Sequence, residues 1–286
     1  MPLSDPHRHS ISISSATGFL NKNGYRLGSI IGEGSYCKVR EAEYNGEKLA
    51  IKIISRIKNS NEYIKKFLPR ELKILCKINH PNIIEIKRII DFGTYVYICM
   101  EIAEKGDLFD CIKKHNFLSE NRARKYFYHL VQAVNYLHKN HISHRDLKCE
   151  NVLITSNDIV KLTDFSFSRV CINENTGRKI LSETYYGSTA YTAPEVLLGI
   201  PYDPMMIDAW SMGCILFIMI TGMMPYNDSN PRKMIQYQLE RRYPIPSSLN
   251  KQISSQCNKL IFQLLEPDVM KRTTVENVLR SSWFQQ

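Results

Sequence analysis

The sequence predicts an α+β chain of two lobes, a small one rich in strands and a larger one built mainly of helices. Two patterns and one measure of size predict this. From Tyr25 to Glu101, short apolar runs alternate with turn residues, as strands do. After Glu101 long helical periods take over, the clearest being "SENRARKYFYHLVQAVNYLHKN". The chain has 286 residues, 43% of them hydrophobic, enough for one large core or two smaller ones.

The elements follow in order. Residues 1–24 are polar, Ser- and His-rich and without period, and are expected to form a flexible tail. "YRLGSIIGEGSYCKVREAEY" reads as strand, Gly-rich turn and strand, and "KLAIKII" as a third strand. "NEYIKKFLPRELKILCKI" has helical period, and Pro69 should start its main segment or kink it. "IIEIKRIIDFG" and "TYVYICMEI" read as two more strands around a turn. In the helical part, Ser119 can cap the long helix that follows. "AWSMGCILFIMITGMM", Ala209 to Met224, is short for a membrane span and broken by Ser, Gly and Thr, so it reads as a buried core helix.

Composition narrows the partners. Lys plus Arg number 38 against 28 Asp plus Glu, a net charge of +10 that suits anions such as nucleotide phosphates. The basic residues are dispersed without a compact run, so neither nucleic acid nor membrane is expected as a partner. The eight cysteines form no C-x-x-C pair, which suits reduced thiols and a cytoplasmic location. The first residues contain no apolar core of a secretory signal.

Four motifs carry chemistry. "GEGSYCKV", Gly32 to Val39, is a turn whose glycines let backbone N–H groups approach phosphates. Lys52, in "AIK", can hold phosphate oxygens if a carboxylate such as Glu71 orients it. In "SHRDLKCEN", Asp146 can accept the proton of an attacking hydroxyl, Lys148 can neutralise a transferring phosphoryl group, and Asn151 offers a neutral oxygen to a metal. "TDFSFSR" places the carboxylate of Asp164 just after an apolar run. His138, His141 and His144 are evenly spaced, but His144 belongs to the catalytic string and His138 closes a helix, so no zinc site is expected.

With "TAPE" at Thr192 to Glu195, "DAWSMG" at Asp208 to Gly213, and Arg272 in "VMKRTT", these motifs resemble the eukaryotic protein kinases over residues 25–283. Within that family "KFLPREL", "GDLFDCI", "VKLTDFSFSR", "GIPYDPMMIDAWSMGCIL" and "MPYNDSN" are similar to the testis-specific serine/threonine kinases. The resemblance implies an N-lobe over about 25–101, a C-lobe over about 102–283 with 284–286 as the end, and ATP in the cleft. It implies nucleotide contacts from Ile31, Gly32, Glu33, Gly34, Ser35, Tyr36, Cys37, Lys38, Val39, Ala50, Lys52, Met100, Glu101, Ala103 and Leu153. Asp146 would be the base beside Lys148, Lys52 would pair with Glu71, and Asn151 and Asp164 would bind Mg²⁺. Glu195 would pair with Arg272.

The form "DLKCEN" and Ser188, expected near Asp146 and Lys148, suit Ser/Thr acceptors on protein substrates. Thr184 matches the activation phosphosite, served by an upstream kinase, with Arg145 as partner of its phosphate. Asp107 and Glu150 would face basic residues upstream of the acceptor. A monomer and a role in spermatogenesis complete what the resemblance implies.

Ser166 and Cys37 stand where the family has glycines. If Ser166 needs a left-handed backbone, its Cβ costs about 1–2 kcal/mol; at an ordinary φ only flexibility is lost. Every charged group needed for transfer is kept, which favours an active enzyme. The alternative is a pseudokinase acting as a binding or allosteric scaffold.

Overall fold

The computed structural model describes residues 11–34, 37–60, 62–173, 175–184, 186–246, 249 and 253–285, with side chains from Thr17 onward. Two compact units divide the chain. The first runs through Pro69 and adds Ile84–Ile102; the second takes Arg70–Ile83 and the chain from Ala103 onward.

The first unit is a five-stranded antiparallel sheet in the order β1-β2-β3-β5-β4. Its strands are β1 (Arg26–Glu33), β2 (Cys37–Tyr44), β3 (Glu47–Ser55), β4 (Ile86–Phe92) and β5 (Tyr95–Glu101). Asn45 and Gly46 close the β2–β3 hairpin, both at positive φ, because a two-residue turn that matches strand twist demands it. β3 and β5 pair at the centre, so the apolar run of β5 is buried almost throughout.

The tail expectation is corrected from Ile11 on: α1 (Ile11–Lys22) is a helix. Its anchor is tertiary. Leu20 is buried with Tyr25, Ala42, Leu49, Ile51, Tyr95, Tyr97 and Cys99 on one face of the sheet. Phe19 stacks on Phe92 with ring centroids 3.9 Å apart. Removal of this apolar surface from water supports a helix that its Ser-rich sequence would not sustain alone.

Pro69 acts as expected, through a wider turn. Tyr63–Phe67 is π-helical, with the Leu68 amide donating to Tyr63 O, and α2 (Leu68–Leu75) follows with Pro69 as its second residue. Proline lacks the N–H that would continue the earlier ladder, so its deficit falls at a register change.

The second unit is mainly helical: α3 (Leu108–His115), α4 (Glu120–Lys139), α5 (Pro194–Leu197), α6 (Pro204–Thr221), α7 (Pro231–Leu239), α8 (Ser255–Leu264) and α9 (Val275–Leu279). Two small antiparallel pairs join β6 (Ile142–Ser143) to β9 (Arg169–Val170) and β7 (Val152–Ile154) to β8 (Val160–Leu162). α6 is apolar and long enough to cross a membrane by composition, yet it is the core helix, buried on every side. A Cβ on its Gly213 would stand 2.8 Å from Leu264 Cβ, so glycine permits the close approach of α8. Ser119 occupies the N-cap of α4 without a side-chain bond; the neighbouring Glu120 instead accepts from Ser254 and Trp283, tying the chain's end to this helix.

Candidate active site

The loop from Ser143 to Asn151 joins β6 to β7 and is fixed by α6. Asp208, 1% exposed, accepts the amides of His144 and Arg145 and meets His138 Nε2, each at 2.9 Å. Burial pushes the Asp208 carboxyl up, but the hydrogen bond and charge of His138, with the His144 ring and the Arg145 amide, outweigh it and hold it below its ordinary range. This clamp supports Arg145 at φ +68°, a conformation that residues with a Cβ avoid. The His144 ring bonds Thr163 O at 2.9 Å and meets Phe165 edge-on.

The same loop brings three expected site residues together. Lys148 Nζ lies 3.0 Å from Asp146 Oδ2. Asn151 Nδ2 donates to Asp146 O at 2.8 Å and to its Oδ2 at 3.1 Å. Burial opposes the Lys148 charge, but Asp146 above all, then Glu150 and Asp164, outweigh it and raise its pKa. With both amide hydrogens of Asn151 turned to Asp146, its Oδ1 remains as the acceptor. That oxygen and the Asp164 carboxylate are hard donors of the kind Mg²⁺ takes, so the residues present fit this ion.

The unusual backbone of "DFS" falls on Asp164, at φ +62°, while Ser166 keeps an ordinary negative φ. The replaced glycine is therefore not a left-handed position. Ser166 Oγ lies 2.6 Å from Asp164 Oδ1 and 3.3 Å from Glu71 Oε2. Glu71, 1% exposed, thus stands in α2 with its carboxylate facing this segment.

Thr184 is exposed, and its carbonyl accepts Arg145 Nη2 at 2.5 Å and Tyr202 OH at 2.8 Å. Two arginines not singled out from sequence join Arg145. Burial, then Arg169 and Arg145, lower the pKa of Arg70; burial, then Arg145, lower that of Arg169. Their positions, 70, 145 and 169, are far apart in the chain, and only the fold converges them. Three mutually repelling guanidiniums suit a dianion.

Glu150 is exposed, with the Tyr191 hydroxyl 3.4 Å from its Oε2. Asp107 is half-buried and caps α3, accepting the Asp110 amide at 2.8 Å; burial pushes its carboxyl up against that bond. This capping role was missed, although Asp three residues before Asp110 at a helix start signals it. The Ser188 carbonyl accepts the Thr192 hydroxyl at 3.0 Å. Leu153 pairs with Lys161 and bridges to Asp107, and the Ala103 carbonyl accepts the Gly106 amide. Glu195 and Arg272 form the expected pair, with bonds of 2.6 and 2.9 Å.

In the first unit, Ile31, Gly32 and Glu33 end β1, with Gly32 opposite Val39 and Glu33 bridged to Lys38 at 3.0 Å. Gly34 N–H donates to Cys37 O at 3.0 Å, closing the turn; Ser35 and Tyr36 lie outside the described residues. Lys52, 7% exposed, sits opposite Val39 on β2 and Ile98 on β5, with Ala50 opposite Met100. An ammonium so buried is not there for solubility. With the glycine turn on the same sheet it suits a polyphosphate. Glu101 ends β5 and accepts the Glu85 amide at 2.7 Å.

Comparison with known proteins agrees with this geometry. The protein kinase domain model matches residues 25–284. The chain is 45% identical to testis-specific serine/threonine-protein kinase 1 of Mus musculus, over 93% of this chain and 73% of the relative. It is 43% identical to testis-specific serine/threonine-protein kinase 3 of the same species, over 93% of this chain and 97% of the relative. Identity to the SNF-related serine/threonine-protein kinase of Homo sapiens is 37%, over 91% of this chain and 33% of that one. An aspartate, a lysine and an asparagine grouped on one clamped loop and a family match over nearly the whole chain lead to one conclusion: the chain belongs to the protein kinase family.

Proposed function

We propose that the protein is an ATP- and Mg²⁺-dependent kinase acting on Ser and Thr hydroxyls of protein substrates. The observation that carries this reading is the grouping of Asp146, Lys148 and Asn151 on a loop fixed by a buried carboxylate. When bound, ATP with Mg²⁺ supplies the transferable phosphoryl group and neutralises part of its charge. Asp146 orients the acceptor hydroxyl and takes its proton. Lys148, held charged by Asp146, offers a cation to the developing negative charge. Asn151 and Asp164 would hold the metal through oxygen, and Lys52 with the glycine turn would hold phosphate oxygens.

Thr184 phosphorylation by an upstream kinase is the switch in this reading. It is supported by the exposure of Thr184 and the convergence of Arg70, Arg145 and Arg169. A preference for Arg upstream of the acceptor is supported by the exposed carboxylate of Glu150. Likeness to kinases named testis-specific supports a role in spermatogenesis. Eight free thiols support a cytoplasmic location, and we read the active unit as a monomer. The inactive-scaffold alternative finds no support: Ser166 occupies an ordinary φ, and every charged group of the motifs is present.

The test is Mg²⁺-dependent autophosphorylation and peptide phosphorylation by purified protein, with Asp146→Asn as control. Incorporation of phosphate by the wild type alone is the expected result. Equal incorporation by both, or by neither when Thr184 is phosphorylated, rejects the reading.

A further inference from the structure

We infer that the Ser166 hydroxyl is a positioning group for the metal-binding carboxylate, holding one oxygen of Asp164 in a pocket beside Glu71. The inference rests on the kinase reading above and adds a part that a glycine at this position does not possess.

The geometry is specific. A hydroxyl has one proton to donate. The 2.6 Å contact with Asp164 Oδ1 lies in the range of short O–H···O⁻ bonds, while Glu71 Oε2 stands at 3.3 Å. The proton therefore goes to Asp164. The Ser166 amide adds a weaker contact to the same Oδ1 at 3.4 Å. Oδ1 is thus engaged from inside the loop. Ser166 is 6% exposed and Glu71 1%, so little water competes for these bonds.

The hydroxyl also lies where two elements come close. Asp164 follows β8 in the metal-binding segment, and Glu71 belongs to α2. A displacement of α2 changes the surroundings of the group that fixes Asp164. Asp164 holds its carboxylate from a left-handed backbone, which persists only where neighbours over-determine it. Ser166 is such a neighbour, bonded through both its amide and its side chain. With this hydroxyl in place, the carboxylate is set before a metal arrives, and less ordering remains for binding to impose.

The experiment measures Mn²⁺ binding by electron paramagnetic resonance on the full chain, with a non-hydrolysable ATP analogue present. It compares Ser166→Ala, Ser166→Gly and Ser166→Thr, with Asp164→Asn as the control that removes the ligand. Hydrogen exchange of the Phe165–Ser168 amides in metal-free protein is the second readout, and thermal melting checks folding. Ser166→Ala is expected to weaken Mn²⁺ about tenfold, the low end for one hydrogen bond to an ionised group. It should also speed exchange, and Ser166→Thr should restore both. Ser166→Ala binding as tightly as wild type, or more tightly, overturns the inference; so does a folded Ser166→Thr as weak as Ser166→Ala. Wild-type protein that binds no Mn²⁺ with the analogue present overturns the kinase reading beneath it instead.

Discussion

Replacing Asp208 by Asn should slow phosphoryl transfer although Asp208 meets no substrate. In the wild type Oδ1 accepts the Arg145 amide, and Oδ2 accepts the His144 amide and contacts His138, each at 2.9 Å. A carboxamide has one acceptor oxygen. If it keeps the two contacts at Oδ2, its NH₂ faces the Arg145 N–H, donor against donor. One charge-assisted bond worth about 1.5–3 kcal/mol is lost, and the other two fall to neutral strength, for a total of roughly 2–4 kcal/mol. The opposite amide orientation loses more. Arg145, at φ +68°, then loses a support that its left-handed backbone requires. At about 2–4 °C per kcal/mol, Tm should drop by roughly 4–16 °C. Asp146 is the next residue, and a displacement of about 1 Å there can cost about a hundredfold in rate. Steady-state peptide kinetics should show kcat reduced about ten- to a hundredfold with KM changed less, alongside faster exchange of the Arg145 and Asp146 amides. A kcat within twofold of wild type, with unchanged exchange, would refute the clamp.

Four further outcomes are expected. Arg272→Ala leaves buried Glu195 without its bidentate partner and should cost about 3–5 kcal/mol in urea unfolding, whereas Glu195→Gln should cost less. Thr184→Ala should lie at least about tenfold below the phosphorylated enzyme in peptide kcat/KM, and equality would reject Thr184 as the switch. Removing Arg two or three residues upstream of the acceptor should lower kcat/KM about ten- to a hundredfold, and Glu150→Ala should shrink that penalty; a peptide library without basic preference would rule this out. Burial, then Lys125, holds the His129 pKa below 6.5, and its neutral Nδ1 accepts the Val160 amide at 3.3 Å. The folded value is depressed, so this contribution is complete above pH 6.5 and is lost as pH falls through the lower folded value. Tm should fall with acidification below pH 6.5, less steeply in His129→Asn; parallel profiles would exclude His129 as the cause.

What the sequence disclosed and what it hid divide along physical lines. Strings such as "SHRDLKCEN" were legible because residues a few positions apart share one loop, and the loop does bring Asp146, Lys148 and Asn151 together. The division into a strand-rich and a helical part was legible from period, including α6 as a core helix. Backbone handedness was not. Attention fell on Ser166 as a lost glycine, whereas Asp164 carries the positive φ. Arg70 and Arg169 were invisible as a group, because charge convergence is a property of tertiary structure. α1 escaped for the same reason: its period is diluted by serines, and two adjacent apolar residues, Phe19 and Leu20, find partners only on the folded sheet.

That docked helix bears on how the protein is cut for study. The family match begins at Tyr25, and a chain trimmed there would lose Phe19 and Leu20. Tyr97, Tyr25 and the ring of Phe92 would then face solvent as a contiguous apolar surface on an open sheet. Such a surface invites self-association before any question of activity arises. A start at or before Ile11 keeps it covered, so for this member of the family the boundary drawn by sequence likeness lies inside the folded body rather than at its edge.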